Sequence, residues 1–95
     1  MSAYLIVQLN VTDPETFAEY KKQVEPTIDA FGGEYVIRGG TQEVLEGDWP
    51  FARTVVIKFP SMEKVKAWHA SDMYKGPMAL RQSASVANAL IVEGL

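Results

Sequence analysis

From the N-terminus, apolar and polar positions alternate. Leu5, Val7, Leu9 and Val11 fall on one side, and Tyr4, Ile6, Gln8 and Asn10 on the other. A two-residue period predicts a strand over Ala3 to Val11, with one fully apolar face and one that turns polar toward its end. The period then lengthens. Phe17, Tyr20, Val24, Ile28 and Phe31 recur every three or four residues, which stacks them on one stripe of a helix. The start of that helix has a mechanism: Asp13 can accept from first-turn amides, Pro14 suits the first helical position, and Glu15 complements the positive helix end. Pro26 should kink or restart it, and Gly32-Gly33 supplies a left-handed stop.

The second half repeats the theme. Glu34 to Arg38 reads as a strand ending at Gly39-Gly40, followed by a short strand-like piece, Gln42 to Glu46, with a hairpin or bulged turn between them. Arg53 to Phe59 alternates Val55, Ile57 and Phe59 against Thr54, Val56 and Lys58, and Pro60 ends it. Ser61 then caps a helix in which Met62, Val65, Trp68 and His69 share a face, and Ser71-Asp72 breaks it. Gly76-Pro77 opens a further helix to about Ser85, and Ala87 to Glu93 returns as a strand.

This order is that of a ferredoxin-like β-α-β-β-α-β unit, an α+β sandwich with an antiparallel sheet and its helices on one face. One domain is expected to span residues 1–95. The helix-free face would carry Tyr4, Ile6, Val36, Val56 and Ile91, too extended an apolar surface to stay in water. A second copy packed against it, giving a homodimer through the sheet face, is the simplest cover.

Composition narrows the partners. Nine basic residues against twelve acidic ones give a net charge of −3, without the clustered positive footprint that nucleic acid requires. No apolar stretch approaches a membrane span, and Ala3 to Val7 is too short for a signal-peptide core. The chain has no cysteine, which removes disulfides, thiolate nucleophiles and zinc-thiolate sites and fits a cytoplasmic location.

A set of short motifs runs through nearly the whole chain: Val11-Thr12-Asp13-Pro14-Glu15, Phe31-Gly32-Gly33, Arg38-Gly39-Gly40, Val44-Leu45-Glu46-Gly47-Asp48-Trp49, Phe59-Pro60-Ser61-Met62-Glu63, Ala67-Trp68, Tyr74 and Leu80-Arg81. On these the sequence resembles the family known as domain of unknown function 1330, a branch of the dimeric α+β barrel superfamily. The resemblance implies two ferredoxin-like subunits with their sheets face to face and a cavity between sheet and helices in each. Relatives in the wider superfamily include monooxygenases, haem-degrading enzymes, isomerases and stress proteins, so it implies no single reaction. His69 departs from the family, which more often has Tyr after the Trp.

Candidate chemistry rests on few residues. His69, the only imidazole, is either a general base or haem ligand, or a ring of no special role at the surface. Arg38 before the glycine pair either holds a carboxylate or enolate of a small substrate over the cavity, or pairs with Glu34, Glu43 or Glu46. Tyr20, Trp68 and Tyr74 either line an aromatic pocket or fill the core. Asn10 marks the polar end of the first strand and is a further ligand-binding candidate. Asp48-Trp49-Pro50 either rims the cavity or caps a turn. Arg53 and Arg81 read as ion-paired groups of the surface or interface.

A lone His without a second His or Glu at ligand spacing builds no metal site, and neither a nucleophile elbow nor a dinucleotide or phosphate-binding glycine loop is present. No cofactor is therefore expected. The leading expectation is a dimeric domain with a small-molecule cavity. The alternatives are a cofactor-independent monooxygenase or isomerase acting on an aromatic or enolisable substrate, with Arg38 stabilising the anion and His69 or Tyr20 moving the proton, and a purely structural dimer module.

Overall fold

In the computed structural model, which describes residues 1–95, the chain forms β1 (Ala3–Val11), α1 (Pro14–Ala30), β2 (Glu34–Arg38), β3 (Arg53–Phe59), α2 (Met62–His69), α3 (Asp72–Ala84) and β4 (Ser85–Glu93). The strands make one antiparallel sheet in the order β2-β3-β1-β4. This is the α+β ferredoxin-like arrangement that the element order predicts. No helix is long and apolar enough to cross a membrane.

The register of β1 organises both faces. Leu5 lies between Ile57 and Ile91, Val7 between Val55 and Ala89, and Leu9 between Arg53 and Ala87; this face turns toward the helices. On the other face Tyr4 meets Lys58 and Val92, and Ile6 meets Val56 and Leu90. Ile91 is therefore not on the open face. One residue of register reverses every side chain of a strand, and β4 presents Leu90 and Val92 instead, 56% and 44% exposed.

Helix α1 starts as its cap residues predict, with Asp13 accepting from the Thr16 amide at 3.2 Å and the Thr16 hydroxyl at 2.7 Å. It runs without interruption through Pro26, which is exposed and forfeits a bond only to the carbonyl of Lys22, itself on the solvent side. The end is a Schellman turn. Gly32, at φ 76°, donates to Asp29, and Gly33 donates to Ile28.

Three elements differ from the sequence pattern. Helix α3 begins at Asp72 rather than at Gly76-Pro77, because Ser71 both closes α2 and opens α3: its hydroxyl donates to the Trp68 carbonyl at 2.7 Å and accepts from the Tyr74 amide at 3.2 Å. Pro77 sits inside α3 and costs it the bond to the Met73 carbonyl. Residues Gln42 to Glu46 form no strand. Both edges of β3 are taken by β1 and β2, and the intervening loop is held by side chains: Gln42 donates to the Phe51 carbonyl and accepts from Thr54, which in turn accepts from the Trp49 indole. Strand β4 also begins two residues early, directly after α3, whose last carbonyl, on Ala84, accepts from Thr12 and Asp13.

At the centre of the core lies Trp68, 1% exposed, packed on Phe59 and Tyr74. Its indole N–H donates at 3.0 Å to the buried hydroxyl of Thr27, which donates at 2.6 Å to the Val24 carbonyl. Trp68→Ala should cost roughly 3 to 5 kcal/mol. Thr27→Val, which strands the indole N–H, should cost about 1 to 3 kcal/mol. Denaturant melts of both and of the double variant should give a combined loss smaller than the sum, because the hydroxyl has nothing to serve once the indole is gone.

The Thr16 side-chain and backbone bonds hold the Asp13 carboxyl below its ordinary value of 3.8. A depressed folded pKa means that the cap's contribution is complete above the ordinary value and is lost as pH falls through the folded one. The melting temperature should therefore fall more steeply below about pH 4 in the native chain than in Asp13→Asn, which has no charge to lose. Equal slopes in thermal melts would rule this out.

Candidate functional site

Strand β2 aims the first site residues by means of a bulge. Tyr35 lies opposite Ile57, Ile37 opposite Val56 and Arg38 opposite Val55, so Val36 is an extra residue between two pairs. In a regular strand, residues three apart face opposite ways. The inserted Val36 cancels that, and Tyr35 and Arg38 both turn toward the helices, with the guanidinium 4.1 Å above the Tyr35 ring. Gly39 then closes the strand at φ 71°. A Cβ there would come within 2.8 Å of the Arg53 guanidinium, so the glycine provides both the turn and the room for that side chain.

Between this face of the sheet and the helices lies a hollow of about 60 Å³. Its apolar wall is made by Leu5, Val7 and Ile57 of the sheet and by Trp68. Since the indole N–H is committed to Thr27, Trp68 contributes only a flat apolar surface.

Polar groups enter from every side. Tyr74, on α3, has its ring centroid 3.9 Å from that of Trp68, and its hydroxyl accepts from Arg81 Nε at 3.2 Å. Tyr20, on α1, lies beside it. Burial, and then the neighbouring Tyr74, push the Tyr20 phenol far above its ordinary value of 10.0, so it stays a hydrogen-bond donor at any physiological pH. Burial also raises Tyr35, against an opposing pull from Arg38. His69 stands exposed at the rim, its ring 6.0 Å from that of Tyr74.

Five candidates from the sequence, Tyr20, Arg38, Trp68, His69 and Tyr74, thus border one hollow. Asn10 does not. It follows Leu9 and so faces the other side of β1, where its carbonyl oxygen accepts from the Ala52 amide at 2.9 Å and pins the β2–β3 loop. Trp49 belongs to that loop as well, bonded to Thr54, away from the hollow. Arg38 pairs with neither Glu34, Glu43 nor Glu46; its partner is Glu25 of α1, at 3.4 Å.

Four phenolic or basic lining residues escape the sequence pattern: Lys21, Tyr35, Arg53 and Arg81. The two arginines are not ion-paired, the only ion pairs being Lys22–Glu19 and Arg38–Glu25. Arg53 lies 5.8 Å above the Phe17 ring, and its Nε is shielded from solvent without a partner. Strand parity held a signal for it, since Arg53 shares a side with Val55, Ile57 and Phe59. Arg81 stands seven residues, two helical turns, after Tyr74, a relation hidden while the helix is started at Gly76. No three His, Cys, Asp or Glu side chains gather as a metal site would require.

No curated protein sequence matches the chain. Among solved structures it is similar to a protein of unknown function from Rhodopseudomonas palustris, at 18% identity with a TM-score of 0.80, over 99% of this chain and 82% of that one. A cofactor-independent oxygenase from Streptomyces nogalater shares the fold at 9% identity and a TM-score of 0.71, over 99% of this chain and 93% of that one. So does an uncharacterised NIPSNAP domain protein from Burkholderia xenovorans, at 10% identity and 0.59, over 100% and 95%. At such identities the likeness is one of fold. The model of the domain of unknown function DUF1330 matches residues 2–95, and the chain belongs to that family.

Proposed function

We propose that this chain is a homodimeric small-molecule-binding domain, one ligand entering the hollow of each subunit. The observation that carries the reading is the hollow itself: phenol, guanidinium and imidazole groups from β2, β3 and all three helices converge on an apolar wall of strand side chains and Trp68. A few placed polar groups over an apolar lining is the usual make-up of a ligand site. The dimer follows from the opposite face, where Ile6, Val56, Leu90 and Val92 stand together with no helix over them.

A second reading is favoured by Tyr20, Arg38 and His69 bordering the same hollow as Trp68. It is cofactor-independent oxygenation or isomerisation of an aromatic or enolisable substrate, the former being the activity named for the Streptomyces nogalater neighbour. In this reading Arg38 holds the oxygen of an enolate while His69 takes the proton from carbon. Tyr20, kept protonated by its burial, can give a proton but not take one at neutral pH. His69→Ala should then abolish turnover while leaving ligand binding in place.

Sedimentation at micromolar concentration should show a dimer. Leu90→Lys, which puts a charge on the open face beside Ile6, should give a monomer with an unchanged circular dichroism spectrum. A native chain that sediments as a monomer would remove the sheet-face assembly. Native mass spectrometry of the dimer against metabolite mixtures should detect a bound small molecule, and a hollow that takes up none would leave only the structural dimer.

A further inference from the structure

The hollow has a charge signature that the chain as a whole lacks. The protein carries a net charge of −3, yet four of its nine basic residues, Lys21, Arg38, Arg53 and Arg81, border this one space, and no Asp or Glu does. Arg38 is partly offset by Glu25 just outside. Arg53 and Arg81 have no carboxylate within ion-pair distance. Partly buried cations without a counter-charge are costly, and burial normally comes with pairing.

The hydrogen-bonding inventory agrees. Arg81 spends its Nε on the Tyr74 hydroxyl, which leaves its terminal nitrogens and the Tyr74 proton free to donate. Arg53 is wedged between Gly39 and the Phe17 ring, with a solvent-shielded Nε that finds no acceptor. The lining is rich in donors and poor in acceptors. A planar guanidinium held in place by its neighbours matches the two oxygens of a carboxylate.

We infer that the ligand of the hollow is a small organic carboxylate, its anionic head held by Arg53 and Arg81 and its apolar body laid against Trp68 and the strand side chains. This deepens the small-molecule reading and rests on it. Arg53 is the residue that selects charge. Its guanidinium borders the hollow with no carboxylate partner of its own, and Gly39 is the residue that leaves space for that side chain. The hollow's 60 Å³ sets a preference for a compact acid.

The test is a titration of the isotope-labelled full-length chain with acetate, propionate and benzoate, each beside its neutral amide, following the indole N–H resonance of Trp68 and the backbone amides of Arg53 and Tyr74. For the best-sized pair the acid should bind roughly ten- to a hundred-fold more tightly than the amide, the scale of a charged hydrogen bond. Arg53→Gln should remove most of that preference without weakening the amide, and Arg53→Lys, which keeps the charge but not the fork, should retain part of it. Thermal melts of both variants check that they are folded. Equal binding of acid and amide, or a preference that survives Arg53→Gln, overturns the carboxylate assignment while leaving the hollow a ligand site. If neither member of any pair moves the Trp68 resonance, the ligand site goes with it.

Discussion

A four-stranded antiparallel sheet has two faces, and in this chain both are apolar while the helices lie on one. The alternation in β1 is the source of the difficulty. Leu5, Val7 and Leu9 must be buried, and so must much of what stands between them, since Ile6 is flanked by Val56 on one side and Leu90 on the other. Only 16 of 95 residues are buried, too thin a core for the chain to spend its helices on both sides. The helix side therefore becomes the core and borders the hollow, and the other side is left without a helix over it.

On the helix side the limiting element is Trp68. Its bond to Thr27 ties α2 to α1, and its contact with Tyr74 ties α2 to α3. Trp68 also packs on Phe59 of β3 and forms one wall of the hollow between helices and sheet. Space is left between Trp68 and the strands, and the long side chains of α1, β2, β3 and α3 point into it. The buried core and the hollow beside it thus come from one packing arrangement.

Much of this was legible in the chain. Strands Ala3–Val11, Glu34–Arg38 and Arg53–Phe59 and the helix start at Asp13 follow from alternation and cap chemistry, both of them local. Trp68 and Tyr20 stood on helical stripes, and the glycine pair after Arg38 marked a strand end that needed explaining. The failures were of other kinds. Gly76-Pro77 is a strong breaker, but Ser71 is a stronger cap, and the helix formed around the proline. The stretch Gln42 to Glu46 had a strand-like composition but is held as a loop by side-chain bonds that link Gln42, Thr54, Trp49 and the Phe51 carbonyl. Asn10 and Ile91 were each placed on the wrong side of their site or sheet, Ile91 because parity within a strand does not say which side meets the helices.

The sequence by itself determined where the elements lie, which of their faces are apolar, and that one sheet face would go uncovered, because these depend on periodicities of two and three to four residues that are written locally. Only the tertiary structure decided that Tyr35, Arg38, Arg53 and Arg81 would share a space with Trp68. Nothing in Glu34-Tyr35-Val36-Ile37-Arg38 announces a bulge, and it arises from how β2 and β3 pair across a loop of fourteen residues, 39–52. That single inserted residue turns Arg38 to the helix side. The convergence of charges on the hollow is a matter of strand register and helix docking, and both are set by contacts between residues far apart in the chain.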